Sequence, residues 1–279
     1  MKWQGRRGSS NVEDRRGMST GTKVAGGGIG TLIILLIVWL LGGDPQNVLE
    51  QLQGGGRTEQ VTTSEEEDQL AQFVSVVLAD TEEIWGKIFE EAGETYRKPT
   101  LVLFRDQVQS ACGYASAASG PFYCPTDEKV YIDLSFCDDL KTKFGAYVDF
   151  AVAYVIAHEI GHHVQKQMGV LDEVNKQRSR LSEARANQLT VRLELQADFL
   201  AGVWAHYADK FLGTIETGDI EEALRAASAI GDDVLQQKYQ GRVVPDSFTH
   251  GTAAQRSEWL KRGWDTGDLN KGDTFSADI

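Results

Sequence analysis

The sequence predicts an α+β chain, mainly helical, in which a single transmembrane helix near the start precedes one domain with a small antiparallel or mixed sheet. Three observations predict it. Residues 24–43 carry no charge, and apolar residues recur at helical spacing through most of the chain beyond them. One stretch, from Pro99 to about Leu140, is instead rich in β-branched residues, glycine and turns. With 279 residues and 41 % hydrophobic content, the length suits one sizeable domain once the apolar segment and the tails are set aside.

The expected division starts with a basic segment, 1–23. It holds Lys2, Arg6, Arg7, Arg15, Arg16 and Lys23 against only Glu13 and Asp14. The 24–43 stretch, as a helix, would cover about 30 Å, enough for a bilayer core. Basic residues before it and Asp44 after it place the N-terminus in the cytoplasm and the body outside. No Ala-x-Ala site follows the apolar run, so a retained anchor is expected rather than a cleaved signal. Gly26 and Gly30 form a Gly-x-x-x-Gly pair that reads as incidental in so Gly-rich a run. Residues 44–63, with Gly54-Gly55-Gly56, read as a flexible linker. Residues 1–23 thus carry +4 and the rest of the chain −17 within the net −13, and so acidic a body argues against a nucleic-acid partner.

The domain itself is expected over 64–266. Ser64 and Glu67 have capping-box spacing and open a helix running to about Ala92, whose acidic residues read as a solvated face. Strands are expected at Thr100–Phe104 and 130–134. Cys112 and Cys124 lie between them. Outside the cytoplasm they could form a disulfide closing a short loop, a bridge contributing ~3 kcal/mol, with Cys137 left over. A buried helix comes next, from about Tyr147, with Gly169 as its stop, then a long one over about 182–207. Three shorter helices are expected near Asp219–Ala229, 232–239 and 252–264. The tail, 267–279, is short and polar and is expected to be poorly ordered.

The chemistry concentrates in Ala157-His158-Glu159-Ile160-Gly161-His162-His163. Residues four apart share a helix face, so His158 and His162 can offer two imidazoles to one metal ion, with Glu159 beside them as general base. A third histidine six residues on is ruled out, because that position holds Met168. His163 is about 100° round the helix and suits a solvent or packing role. The remaining ligand is expected to be Glu194, in Leu193-Glu194-Leu195-Gln196-Ala197-Asp198, with Asp198 one turn on to accept the free ring N–H of a ligating histidine. Glu173 and Glu183 compete for that place but lack a carboxylate four residues later. A polar donor to the developing oxyanion could come from His250 or Arg256. His206 reads as structural.

The opening Met1-Lys2-Trp3-Gln4-Gly5-Arg6-Arg7, Asn11-Val12-Glu13-Asp14-Arg15-Arg16, the 110–125 block, 130–136, 158–163, 194–201 and 246–256 together resemble the bacterial neutral zinc metallopeptidase family, the YpfJ-like proteins. The resemblance implies a single-pass inner-membrane protein with a gluzincin-like domain on the periplasmic side. It also implies one Zn²⁺ per chain on His158, His162 and Glu194, Glu159 as base, and peptide or protein substrates. Thr249-His250-Gly251 looks like the segment after the zinc site in related gluzincins, which favours His250 lining the cleft. Cys137 stands where the family suggests an aromatic residue. The alternative from another class is a membrane-tethered, catalytically silent zinc-binding module; a closed structural site would normally offer four protein ligands, and three are found here. The residues do not fix the oligomeric state.

Overall fold

The structure, a computed structural model, describes residues 1–17, 64–116, 120–137 and 149–279. Helices dominate and the sheets are small. Strand β1 (Val12–Asp14) is followed by helix α1 (Glu65–Glu91) and by β2 (Thr100–Phe104), β3 (Gln107–Ser110), β4 (Gly113–Ser116), β5 (Phe122–Cys124) and β6 (Lys129–Asp133). Then come α2 (Asp149–Gln167), α3 (Val170–Arg178), α4 (Glu183–Tyr207), α5 (Asp219–Ala229), α6 (Asp232–Gln240) and α7 (Ala253–Thr266). One sheet has the order β1-β2-β6-β5, parallel except for β5; β3 and β4 form a separate antiparallel hairpin.

Local chemistry sets the element ends. The Ser64/Glu67 capping box is present at the start of α1, and a second box, Thr252 with Gln255, starts α7. Gly169 turns the chain between α2 and α3 at φ 76°, a left-handed conformation that glycine adopts without strain. Cys112 and Cys124 form a disulfide that ties the β3–β4 turn to the end of β5, and Cys137, outside that bridge, is buried. Tyr147 and Val148, the expected beginning of the helix before His158, lie outside the described residues.

Three expectations are corrected. The first is the membrane anchor. Among the described residues no helix is long and apolar enough to cross a membrane, and the expected span, 24–43, lies outside them, as does the expected linker, 44–63. Even α2, apolar for its first half, carries His158, Glu159, His162 and His163 in its second. Moreover, Met1–Arg15 and Ser64–Ile279 form one compact unit. β1 pairs with β2 in register Val12 to Leu101, so one crossing between them would put two strands of one sheet on opposite sides of a bilayer. The fold class is therefore a mainly helical domain with small sheets, and the single-pass inner-membrane location falls with the anchor.

The second correction concerns the acidic middle of α1, which is not a solvated face. Arg6 donates to Asp80 at 2.6 Å, while Ser9 and Asn11 donate to Glu82 at 2.6 and 2.7 Å, so both carboxylates lie buried beneath the N-terminal segment. The third is the tail. Arg192 of α4 donates to the carbonyls of Thr274, Phe275 and Ala277, and Gln196 to that of Gly272, so the C-terminal residues are docked on α4.

Two close helix crossings carry the site. Gly161 of α2 meets the main chain of Ala197 in α4. On the other side of α4, Gly202 and Gly263 let α7 approach so closely that a Cβ on either would lie 2.0–2.1 Å from a carbonyl oxygen of the facing helix. No larger residue fits there without moving a helix.

Candidate metal centre

The crossing of α2 and α4 brings three donor atoms together. One from each of His158, His162 and Glu194 lie within 4.8 Å of one another. His158 Nε2 is 3.1 Å from Glu194 Oε2, and His162 Nε2 is 3.4 Å from the same oxygen. Ligands on a tetrahedral zinc with bonds of roughly 2.1 Å stand about 3.4 Å apart, so this spacing fits the ion. The donor set fits as well: two imidazole nitrogens and a carboxylate oxygen, the three-protein-ligand set of a catalytic zinc site. Glu173 and Glu183, the rival carboxylates, are exposed.

Each histidine is braced through its other nitrogen. His158 Nδ1 lies 2.8 Å from Asp198 Oδ1, and His162 Nδ1 lies 2.8 Å from Gln165 Oε1. Both ring N–H groups thus face acceptors and both Nε2 atoms face the shared centre. Asp198 is itself held from behind. Arg256 donates to its two oxygens at 2.9 and 3.0 Å, and the Tyr154 hydroxyl donates at 2.5 Å. Arg256, named from sequence as a candidate oxyanion donor, is 3 % exposed and committed to Asp198. It reaches Asp198 because α7 is seated on α4 at the Gly202–Gly263 contact.

The charges are arranged for a cation. Burial opposes ionisation of Asp198, but Arg256 and then His158 outweigh it and hold the carboxyl below the usual range. Glu194 is likewise depressed, since His162 and His158 overcome the cost of its burial. Burial would lower the pKa of His158, yet Asp198 and Glu194 raise it to about 10. The carboxylate charge of Asp198 and Glu194 that raises His158 also favours a divalent cation at this centre. Glu159 shows the opposite trend. Its pKa is raised, chiefly because burial disfavours its charge, although the two histidines and the main-chain N–H of Tyr123 in β5 pull the other way.

A profile described as "Putative neutral zinc metallopeptidase" matches residues 1–275. The chain belongs to that family. It is 51 % identical over 288 residues to the Escherichia coli K12 protein named "Uncharacterized protein YpfJ", covering all of both chains. It is 40 % identical over 257 residues to the Mycobacterium tuberculosis H37Rv protein named "Uncharacterized protein Rv2575", covering 85 % of each. No solved structure matches. The N-terminal segment packed on α1 lies within the family match, as do both helices of the candidate centre.

His250 is not joined to this centre. Its side chain is 51 % exposed and meets Asp232 and Thr249, not His158, Glu159, His162 or Glu194. Asp232 accepts the N–H groups of Thr249, His250 and Gly251, and Gly251 rests on Val191 and Leu195 of α4, so this loop lies beside the site's second helix. His163 is buried. It takes a hydrogen bond from the Tyr123 hydroxyl at 3.0 Å and gives one to the carbonyl of Arg97 at 2.6 Å, tying β5 to α2. Sequence reasoning missed Gln165, Tyr154 and Tyr123. Two of these were discoverable, because Gln165 is three residues after His162 and Tyr154 four before His158, both positions on the ligand face.

Proposed function

We propose that the chain is a zinc-dependent endopeptidase of gluzincin type, with His158, His162 and Glu194 as ligands, Glu159 as general base and Asp198 as the partner that orients His158. One observation carries this reading: two imidazole Nε2 atoms converge on one Glu194 oxygen, with a buried glutamate next to the first of them in sequence and held by an edge strand. A zinc ion bound there supplies Lewis-acid chemistry, acidifying a water and polarising the scissile carbonyl. Glu159, with its raised pKa, takes the proton from the attacking water and passes it to the departing amine. An extended peptide pairs with the outer edge of β5, the last strand of the sheet among the described residues, whose main chain already reaches Glu159. With Arg256 committed to Asp198, His250 is the candidate left to meet the substrate oxyanion from the 248–252 loop.

Metal analysis and cleavage of an unfolded casein-type substrate test the assignment together. Glu159→Gln should keep one zinc per chain and lose cleavage, and Glu194→Ala should lose the zinc. His250→Ala should keep the zinc and lower kcat by about 100-fold. Cleavage by the Glu159→Gln protein would remove the base from the mechanism.

A further inference from the structure

The amide of Gln165 has only one possible orientation. Its Nε2 lies 2.8 Å from the carbonyl oxygen of Leu193, which can only accept, and 3.0 Å from Gln196 Oε1. The amide nitrogen therefore points at α4, and the amide oxygen must face His162, 2.8 Å away. His162 Nδ1 is then the donor in that contact, and the Nε2 lone pair faces the centre. One fully buried side chain sets the tautomer of the second histidine and also grips the main chain of α4 one residue before Glu194. The other histidine is braced to α4 at Asp198, so the two braces bracket Glu194, from 193 on one side and 198 on the other.

We propose that Gln165 is a positioning residue for the metal: it fixes the His162 ring and the distance between α2 and α4, so that Glu194 meets both imidazoles. This rests on the zinc reading given above. The two histidines are held unequally, His158 by a carboxylate with an arginine behind it and His162 by a neutral amide whose partners are a carbonyl and a second amide. The neutral brace orients without adding charge, so its contribution is geometric. Replacing it removes a constraint from the ligand set and leaves the charge of the site unchanged.

The test compares zinc dissociation constants, by chelator competition on the purified full chain, for wild type, Gln165→Met, Gln165→Glu and Gln196→Ala. Gln165→Met keeps side-chain length and loses all three hydrogen bonds of the amide; its zinc affinity should fall about 10- to 100-fold. Gln165→Glu keeps an acceptor for His162 and should bind zinc more tightly than the methionine variant. Gln196→Ala removes a neighbour of the amide and leaves its bonds to His162 and Leu193, so its affinity should match wild type. Equal affinity in Gln165→Met and wild type, or an equal loss in Gln196→Ala, overturns the proposal. A second readout needs no variant to fold: in the zinc-loaded wild type, the His162 Nδ1 proton should exchange slowly with solvent by NMR. Exchange as fast as that of an exposed imidazole overturns the proposal as well. Absence of zinc binding by wild type overturns both this inference and the peptidase reading, whereas the other adverse outcomes leave the peptidase reading standing.

Discussion

Gly161 of α2 lies against the main chain of Ala197 in α4: a Cβ at position 161 would stand 3.0 Å from the Ala197 carbonyl oxygen and 3.2 Å from its Cα. Gly161 is the residue just before His162, and Ala197 is the one just before Asp198. The contact therefore sets how near the ligand-bearing faces of the two helices can come. Gly161→Ala forces the helices apart by a few tenths of an ångström. Overpacking of this kind costs about 1–3 kcal/mol, and the better helix propensity of alanine returns about 1 kcal/mol. The expected outcome is a small loss of stability with a clear loss of zinc affinity, read by a melting curve and a chelator titration on the same sample. Unchanged zinc affinity would show that the crossing tolerates the methyl group.

The Arg256–Asp198 pair is buried on both sides. Removing Arg256 leaves the buried Asp198 charge with only His158 and Tyr154 against it, a loss of up to about 3–5 kcal/mol. Arg256→Met should lower the melting temperature accordingly, and Asp198→Asn in the same chain should restore part of the loss by removing that charge. A double variant no more stable than Arg256→Met alone would mean that the arginine acts through some other contact.

Asp232 couples the 248–252 loop to pH. Burial opposes its charge, but hydrogen bonds from His250 and the Thr249 main chain outweigh it and lower its pKa below the ordinary 3.8. A folded value below the unfolded one contributes stability that is fully present above about pH 4 and is lost as pH falls through the folded value. Asp232→Ala should therefore be less stable than wild type at neutral pH, with the difference narrowing in acid. Melting curves between pH 2 and 7 measure it, and a difference that stays constant across that range would rule Asp232 out.

Residues 1–15 close one edge of the sheet and neutralise the acidic middle of α1. Deleting them bares the β2 edge, takes Arg6 away from the buried Asp80 and leaves Glu82 with Lys98 but without Ser9 and Asn11. The shortened protein should be poorly soluble or melt well below wild type, and a synthetic 1–17 peptide added in trans should recover part of the difference. A shortened chain melting at the wild-type temperature would mean that the segment is only an ornament on the fold.

Much of this protein was legible from residue order. The capping box at Ser64, the strand at Thr100–Phe104 and the long helix ending at Tyr207 obey local rules of hydrogen bonding and periodicity, and the structure has them there. The pairing of His158 with His162 was also readable, because i,i+4 spacing on a helix is a local property. Glu194 was picked out by its ligand type and by Asp198 one turn on, while the crossing of α2 and α4 brought the three together. The 1–15 segment was misread because its charges resemble those of a cytoplasmic flank. Nothing in a basic stretch reveals that Arg6, Ser9 and Asn11 will meet carboxylates some 70 residues away.

The sequence by itself determined the donor types, their spacing along each helix and most element boundaries, since these depend on interactions within a few residues. Only the tertiary structure decided that Arg256 sits behind Asp198, that Gln165 holds His162, that His250 meets Asp232 and that the tail lies along α4. Those placements depend on how closely helices approach at Gly161, Gly202 and Gly263. Helix separation is a property of two surfaces meeting, and no single stretch of chain encodes it.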